Sequence, residues 1–83
     1  MELDALKLAT GRAVGVKQTE KAVTKKAAKL VFIANDADEH VVEKLRRLCE
    51  ANDIVPLVEW DMLELGRACG IHVKAAACAV LNP

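Results

Sequence analysis

Residues 15–21 place a glycine before the basic start of a helix, Gly-Val-Lys-Gln-Thr-Glu-Lys. Free backbone N–H groups and the positive dipole at a helix N-terminus attract phosphate. Lysine donates hydrogen bonds to guanine acceptors, and glutamine reads adenine bidentately. Lys17, Gln18 and Lys21 stand at i, i+1 and i+4, which puts them on one patch of a helix. The pattern indicates nucleic-acid contact, although a basic first turn is also an ordinary solvated surface.

The single tryptophan, Trp60, lies between Glu59 and Asp61. These acidic neighbours indicate a loop that faces solvent, where the ring would be a stacking platform for an unpaired base. A core position is the alternative, because tryptophan is highly buried on average. The sequence alone leaves both roles open.

Residues 65–71, Leu-Gly-Arg-Ala-Cys-Gly-Ile, follow the loop around the tryptophan. We expect Gly66 to serve close packing and Gly70 to end a helix. Arg67, between them, is either a plain surface residue or a clamp for a phosphate group.

The three cysteines have neither CxxC spacing nor a nearby histidine. We expect Cys49, Cys69 and Cys78 to be free thiols that act as small core hydrophobes in a reducing compartment. His40 and His72 are not spaced as metal ligands relative to them. No catalytic residue, metal or cofactor is therefore expected.

Composition and charge describe one small globular domain whose surface charge is uneven. The 83 residues are 53% hydrophobic, with 14 alanines and only two aromatic side chains, so helices must lie close to their neighbours. Residues 1–34 carry seven basic and three acidic residues, whereas residues 35–66 carry nine acidic and three basic ones. A protein with zero net charge can therefore still present one basic face to a polyanion. No signal peptide or membrane span is expected.

Helical and strand patterns alternate along the chain. Residues 30–34 are an unbroken apolar run, typical of a strand that is covered on both faces. Pro56 places residues 54–58 near a sheet edge, because proline cannot donate to a central ladder. Predicted helices cover residues 2–9, 17–28 and 61–69, and a further helix, with Asp36 as its expected cap, runs to about residue 51. Predicted strands cover residues 13–16, 30–34, 54–58 and 73–81. We predict an α/β fold, a three-layer α/β/α sandwich around a mixed four-stranded sheet.

Residues 15–21 and 65–71, taken with their separation, resemble the kink-turn-binding ribosomal protein family. This is the large-subunit L-seven-Ae group of archaea and eukaryotes, with box C/D and spliceosomal relatives and short bacterial members. Residues 30–38, the edge strand at 55–58 and the alanine-rich last strand match as well. The resemblance covers nearly the whole chain.

The resemblance implies that the start of the second helix enters a widened RNA groove over tandem sheared G·A pairs. The family pattern there is Gly-Thr-Asn-Glu, followed by a Thr and a Lys. Gly15 and Lys21 match it, while Val16, Lys17 and Gln18 replace Thr, Asn and Glu. The replacement is similar to that in bacterial members, and it exchanges an acidic pair for a donor-rich one.

The resemblance implies further roles outside this helix. Asp38 matches an acidic position and would orient Lys21 through a charge-assisted contact. The loop at residues 58–63, with Val58 and Trp60, matches the segment that packs on an extruded nucleotide, which favours the stacking platform for Trp60. Such a ring is worth about 1–3 kcal/mol per base.

The prediction is a cytoplasmic, monomeric RNA-binding protein with one domain over residues 1–83. It would recognise kink-turns in ribosomal or leader RNA and shift a flexible RNA toward its kinked state. The alternative is a protein-interaction adaptor that uses its acidic segment, namely Asp38, Glu39, Glu43 and Glu50. The residues expected to contact RNA are Gly15, Val16, Lys17, Gln18, Lys21, Asp38, Val58, Trp60 and Arg67.

Overall fold

A computed structural model describes residues 2–83, so Met1 of the predicted domain lies outside the described residues. Helices and strands alternate in the first half of the chain, and two helices then precede the last strand. The elements are α1 (Glu2–Leu8), β1 (Arg12–Val14), α2 (Val16–Thr24), β2 (Ala28–Ile33), α3 (Glu39–Ala51), α4 (Met62–Ala68) and β3 (Ala77–Leu81). No helix within residues 2–83 is both long and apolar enough to cross a membrane.

The sheet has the order β1-β3-β2, and both pairings are antiparallel. The central strand β3 is short and rich in small residues, with Ala79 opposite both Ala13 of β1 and Val31 of β2. Its alanines let the covering helices approach the sheet closely. The ladder between β2 and β3 is irregular between Ala28 and Leu30, at the N-terminal end of β2.

Each face of the sheet buries its own apolar cluster. Phe32 and Cys78 face α1 and α4, where Leu6 and Leu65 pack against them. The second cluster packs against α2 and α3 and consists of Ala13, Ala22, Val23, Val31, Ile33, Val42, Leu45, Cys49, Ala77 and Ala79. Alternate residues of β2 and β3 thus enter opposite cores, which is why their sequences are apolar without a break. The predicted three-layer α/β/α arrangement is confirmed.

The prediction of a mixed four-stranded sheet is wrong. Among the described residues the sheet has three antiparallel strands, and residues 54–58 form only one parallel bridge, between Leu57 and Phe32. Leu57 donates to Val31 and accepts from Ile33, at 2.9 and 3.0 Å. The next bond, from the Asn35 N–H, goes to the carbonyl of Trp60 at 2.9 Å, one residue later than a regular ladder requires. The extra residue ends the pairing after Leu57. Before Leu57 in the chain, Val55 is 86% exposed.

Two predicted element bounds differ for identifiable reasons. Helix α2 ends at Thr24 rather than residue 28, because Lys26 takes the left-handed conformation with φ 58°. The N–H of Ala27 then bonds the carbonyl of Ala22 at 2.8 Å, which completes a Schellman motif. Strand β3 begins at Ala77 rather than at residue 73, since the preceding residues form a loop against α4.

Arg12 ties the ends of two helices to the edge strand β1. Its guanidinium donates to the carbonyls of Leu6 and Lys7 in α1, at 3.1 and 3.4 Å, and to that of Ala68 in α4, at 3.4 Å. The last carbonyls of a helix have no partner within the helix and carry the negative end of its dipole. One side chain therefore satisfies the C-termini of α1 and α4.

Candidate nucleic-acid interface

The start of α2 is an open helix N-terminus. Gly15 is the N-cap residue with φ 94° and ψ 160°, and no side chain among the described residues caps the helix. A Cβ added at Gly15 would lie more than 4 Å from every other described residue beyond its chain neighbours, so the backbone is open to close approach. Within residues 2–83, the N–H groups of Val16, Lys17 and Gln18 have no hydrogen-bond acceptor. These groups and the helix dipole can receive an anionic ligand.

The fold holds this helix start firmly in place. The N–H of Gly15 donates to the carbonyl of Ala77 in β3 at 2.8 Å. Thr19, which is fully buried, donates its hydroxyl to the carbonyl of Gly15 at 2.7 Å. Val16 is half-buried against the core on the α2–α3 face. The helix start is therefore attached to the central strand and to the core.

The polar side chains of the helix start point outward. Lys17, Gln18 and Lys21 are all exposed. The Oε1 atom of Gln18 accepts from the N–H of Val14 at 3.2 Å, which leaves the two N–H donors of its amide for a ligand. Neither lysine is ion-paired with any of the described residues. The patch therefore presents ammonium and amide donors together.

Three loops join at the same end of the sheet. The N–H of Ala34, after β2, donates to the carbonyl of Ala76 before β3 at 2.9 Å, next to the bond between Gly15 and Ala77. Asn35 holds the loop at residues 58–61 through its N–H to Trp60 and its side-chain amide to the carbonyl of Glu59, at 3.2 Å. The α2 start and the loop that carries Val58 are thus positioned at one end of the molecule.

The whole described chain matches one family model. The model for the ribosomal protein L7Ae/L30e/S12e/Gadd45 family covers residues 2–83. This chain belongs to that family. The resemblance found in residues 15–21 and 65–71 is thereby confirmed.

Curated relatives and solved structures agree with the family assignment. An RNA-binding protein of Caldanaerobacter subterraneus subsp. tengcongensis is 50% identical over 68 residues, 82% of this chain and 83% of the relative. An RNA-binding protein of Bacillus pumilus is 36% identical over 81 residues, 98% of this chain and 99% of the relative.

Two solved structures share the fold. The Giardia lamblia 15.5kD RNA binding protein superposes with a TM-score of 0.86 at 27% identity, over 99% of this chain and 72% of its own. A protein of unknown function from Bacillus halodurans superposes with a TM-score of 0.84 at 31% identity, over 96% of this chain and 83% of its own.

Trp60 does not have the exposed position that its acidic neighbours and the family match predicted. Its side chain is only 8% exposed and belongs to the core on the α1–α4 face. The ring packs against Phe32 with centroids 5.6 Å apart and planes inclined at 51°. The prediction of an exposed ring is wrong, and the core alternative describes the position. Glu59 is exposed next to it, so the loop faces solvent while its tryptophan points inward.

Asp38 has a structural task that differs from the predicted contact with Lys21. Its carboxylate accepts from the N–H of His40 at 2.9 Å and caps α3. Within residues 2–83 no ion pair or hydrogen bond joins Asp38 to Lys21. That predicted orientation of the lysine is absent from the chain without RNA.

The sequence predicted Asp36 as the cap of the helix that follows it, but Asp38 caps that helix and Asp36 caps the more distant α4. The carboxylate of Asp36 accepts from the N–H of Met62 at the start of α4, at 2.9 Å. Asp61 and Glu64 complete a capping box at the same helix start. The contact therefore joins the loop after β2 to the start of α4.

Val58 and Arg67 are both accessible. Val58 is 42% exposed, and Arg67 is exposed on α4 beside a shallow groove formed with Leu63, Ile71 and His72. Within the described residues Arg67 makes no side-chain hydrogen bond or ion pair. Its guanidinium is thus available to a phosphate group.

The glycines of α4 have the predicted roles. A Cβ on Gly66 would collide with the carbonyl of Val73, so only glycine lets the loop before β3 lie against the helix. Gly70 has φ 75°, and Ile71 donates to the carbonyl of Gly66 at 3.1 Å in a Schellman motif.

The cysteines are buried free thiols, as predicted. A hydrogen bond between Cys78 and Cys69 lowers the pKa of Cys69 to about 7, against the opposing effect of burial. The same hydrogen bond, together with burial, raises the pKa of Cys78. Burial also raises the pKa of Cys49. All three lie within the cores rather than at the open helix start.

The acidic segment is largely occupied by contacts of its own. Glu39 pairs with Arg46 at 2.9 Å, and Glu43 pairs with Arg47 at 2.7 Å. Asp38 caps the same helix. The negative charge on which the adaptor alternative depends is thus partly neutralised within α3.

Proposed function

We propose that this protein binds RNA and recognises kink-turns through the start of α2. The observation that carries the proposal is the open N-terminus at Gly15, next to three exposed polar side chains. Within residues 2–83 Lys17 and Lys21 form no ion pair, and Gln18 uses only its amide oxygen, in the bond from Val14. A glycine with positive φ and open space lets a nucleic-acid backbone approach, and the free N–H groups can donate hydrogen bonds to a phosphate or to acceptors on a base edge. Two relatives are named as RNA-binding proteins, which supports RNA as the partner.

Kink-turn recognition adds a requirement on RNA shape. Tandem sheared G·A pairs present acceptors in a groove that is widened by the bend, and Lys17, Gln18 and Lys21 present donors. Arginine or lysine pairs with the O6 and N7 acceptors of guanine, and glutamine with adenine. The amide of Gln18 suits this task, because its oxygen is already bonded to Val14 and its donors are free.

The proposed mechanism is binding without chemistry. A flexible RNA exchanges between extended and kinked states, and a protein that binds only the kinked state increases its population. The helix start needs no rearrangement for this, since Thr19 and Ala77 hold it in place. In the same proposal the protein acts as a cytoplasmic monomer on ribosomal or leader RNA.

The other predicted residues fit the proposal in different ways. Val58 offers an apolar contact for an extruded nucleotide, and Arg67 offers a phosphate contact. Trp60 supports the loop from inside the core and makes no stacking platform. Asp38 caps α3 and leaves Lys21 free for the RNA.

A titration with two matched RNAs tests the proposed function. One RNA carries the kink-turn, and the other has its sheared G·A pairs replaced by Watson–Crick pairs so that the helix stays straight. We expect the kinked RNA to bind at least about a hundredfold more tightly than the straight one. The ratio of specific to non-specific affinity is typically larger still. Donor and acceptor dyes at the two RNA ends should report shortening as protein is added. Equal affinity for both RNAs contradicts kink-turn recognition.

A further inference from the structure

A basic groove runs between α2 and α3, on the outer surface of the sandwich. Four of the residues along it are lysines and one is a glutamate, although the chain as a whole has zero net charge. We call this the α2–α3 groove. Its residues are Lys17, Glu20, Lys21, Thr24, Lys25, Lys44 and Leu48.

Glu20 offsets only part of the positive charge of this groove, and no ion pair among the described residues involves its lysines. The two arginines of α3, Arg46 and Arg47, are paired with glutamates of the same helix. Within residues 2–83, by contrast, none of the four groove lysines takes part in an ion pair. Like charges at i, i+4 repel, so the row Lys17, Lys21 and Lys25 weakens α2 in isolation. A surface that keeps such repulsion is suited to a partner that brings negative charge.

The groove is continuous with the proposed RNA contact. Lys17 and Lys21 belong both to the helix start and to the groove, and Lys25 lies one turn further. At a rise of 1.5 Å per residue, the row extends about 12 Å along α2. That length is enough for more than one phosphate of a strand, since charges of one strand of a B-form double helix are about 3.4 Å apart along the helix axis. A strand leaving the helix start can therefore reach Lys25 and Lys44, which line the same groove.

We infer that the α2–α3 groove holds the phosphate backbone of the RNA strand beyond the base contact, with Lys25 and Lys44 as backbone ligands from the two helices. This inference rests on the proposed function, because continuity with the helix start selects RNA over an acidic protein. The two lysines contribute affinity without reading sequence, since phosphate contacts position the partner and base contacts specify it.

The test replaces both lysines and compares the result with a matched pair elsewhere. The variant is Lys25→Gln with Lys44→Gln, and the control is Lys7→Gln with Lys29→Gln, two exposed lysines outside the groove. Both double variants remove the same charge. Thermal unfolding by circular dichroism should show that both keep the fold.

The readout is the salt dependence of RNA affinity, measured with kink-turn RNA from about 50 to 200 mM salt. Each lost phosphate contact should reduce the slope of log K against log salt by about 0.7 to 0.9, so the groove variant should lose roughly 1.4 to 1.8. Its affinity should fall roughly tenfold or more at low salt, while its preference for kinked over straight RNA stays that of the wild type. The slope of the control pair should differ from the wild-type slope by less than about 0.4, which is half the change expected for one phosphate contact.

Two results would overturn the inference. One is a groove variant with the wild-type slope and affinity, and the other is an equal loss in the control pair. If the wild type binds polyglutamate and only the groove variant loses that binding while keeping its RNA affinity, the groove serves an acidic protein instead. Failure of the proposed function is a separate result, because it shows as equal affinity of the wild type for kinked and straight RNA.

Discussion

The side-chain oxygen of Gln18 accepts a hydrogen bond from the backbone N–H of Val14, across the turn between β1 and α2 at 3.2 Å. Val14 is the last residue of the edge strand β1. The bond therefore satisfies an N–H on the sheet edge and at the same time restrains the amide of the exposed Gln18. An unpaired edge N–H is a site for unwanted strand pairing.

Substitutions at Gln18 separate these two effects. Gln18→Ala removes the acceptor and should lower the free energy of unfolding by about 0.5–1.5 kcal/mol. Gln18→Glu keeps an oxygen for the N–H of Val14 and adds a negative charge at a helix N-terminus, which is favourable. Urea denaturation should therefore rank Gln18→Glu at or above the wild type and Gln18→Ala below it. Equal losses in both variants would show that the hydrogen bond contributes nothing.

Lys21→Ala tests the RNA contact with little structural consequence. Lys21 is exposed and has no ion-pair partner among the described residues, so the free energy of unfolding should change by less than about 0.5 kcal/mol. Affinity for kink-turn RNA should fall at least about tenfold, equivalent to about 1.4 kcal/mol. Lys74→Ala, another exposed lysine, is the control and should bind as the wild type does. Unchanged affinity of Lys21→Ala in a fluorescence titration would remove this residue from the interface.

Trp60→Ala should act on stability and not on RNA stacking. The ring is 8% exposed and packs on Phe32, so its loss should cost about 3–5 kcal/mol, close to the whole stability of a small domain. Trp60→Phe keeps most of the apolar contact and is the variant that should still fold. Tryptophan emission of the wild type should be blue-shifted and unaffected by kink-turn RNA. Red-shifted emission that RNA quenches would instead show that the ring is exposed and contacts RNA.

Lys26 and Asp53 are the non-glycine residues with positive φ in residues 2–83, and both have φ 58° at a helix C-terminus. An L-residue costs roughly 1–2 kcal/mol in this conformation, and glycine avoids that cost while losing more chain entropy. Lys26→Gly and Asp53→Gly should each stabilise the protein by about 0.5–1 kcal/mol. Lys25→Gly, one position earlier, should instead destabilise it. Differential scanning calorimetry of the three variants checks the order.

Gly66→Ala should be strongly destabilising although the change is one methyl group. The new Cβ would collide with the carbonyl of Val73, which is backbone and cannot rotate away. Overpacking of this kind costs about 1–3 kcal/mol or more. Gly11→Ala is the matched control, because its Cβ would make an ordinary contact with Leu81 at 3.5 Å. A melting temperature of Gly66→Ala equal to that of Gly11→Ala would contradict the close approach.

The sequence alone predicted the layers of the fold and the start of the proposed interface. The unbroken apolar run in β2 required cover on both faces, and helices on either side of the sheet provide it. Gly15 before Lys17 and Gln18 indicated a helix start, and the roles of Gly66 and Gly70 followed from glycine chemistry. These features depend on residue type and on neighbours within one or two turns, so local sequence specifies them.

Tertiary structure decided the features that depend on residues far apart in the chain. The acidic neighbours of Trp60 suggested that its ring is exposed. The ring instead lies in the core, where it packs against Phe32, 28 positions earlier in the chain. A one-residue slip between Leu57 and Trp60 reduced the expected fourth strand to a single bridge. Pairing register and side-chain burial follow from which elements meet, and a change of one residue reverses the face to which a side chain points.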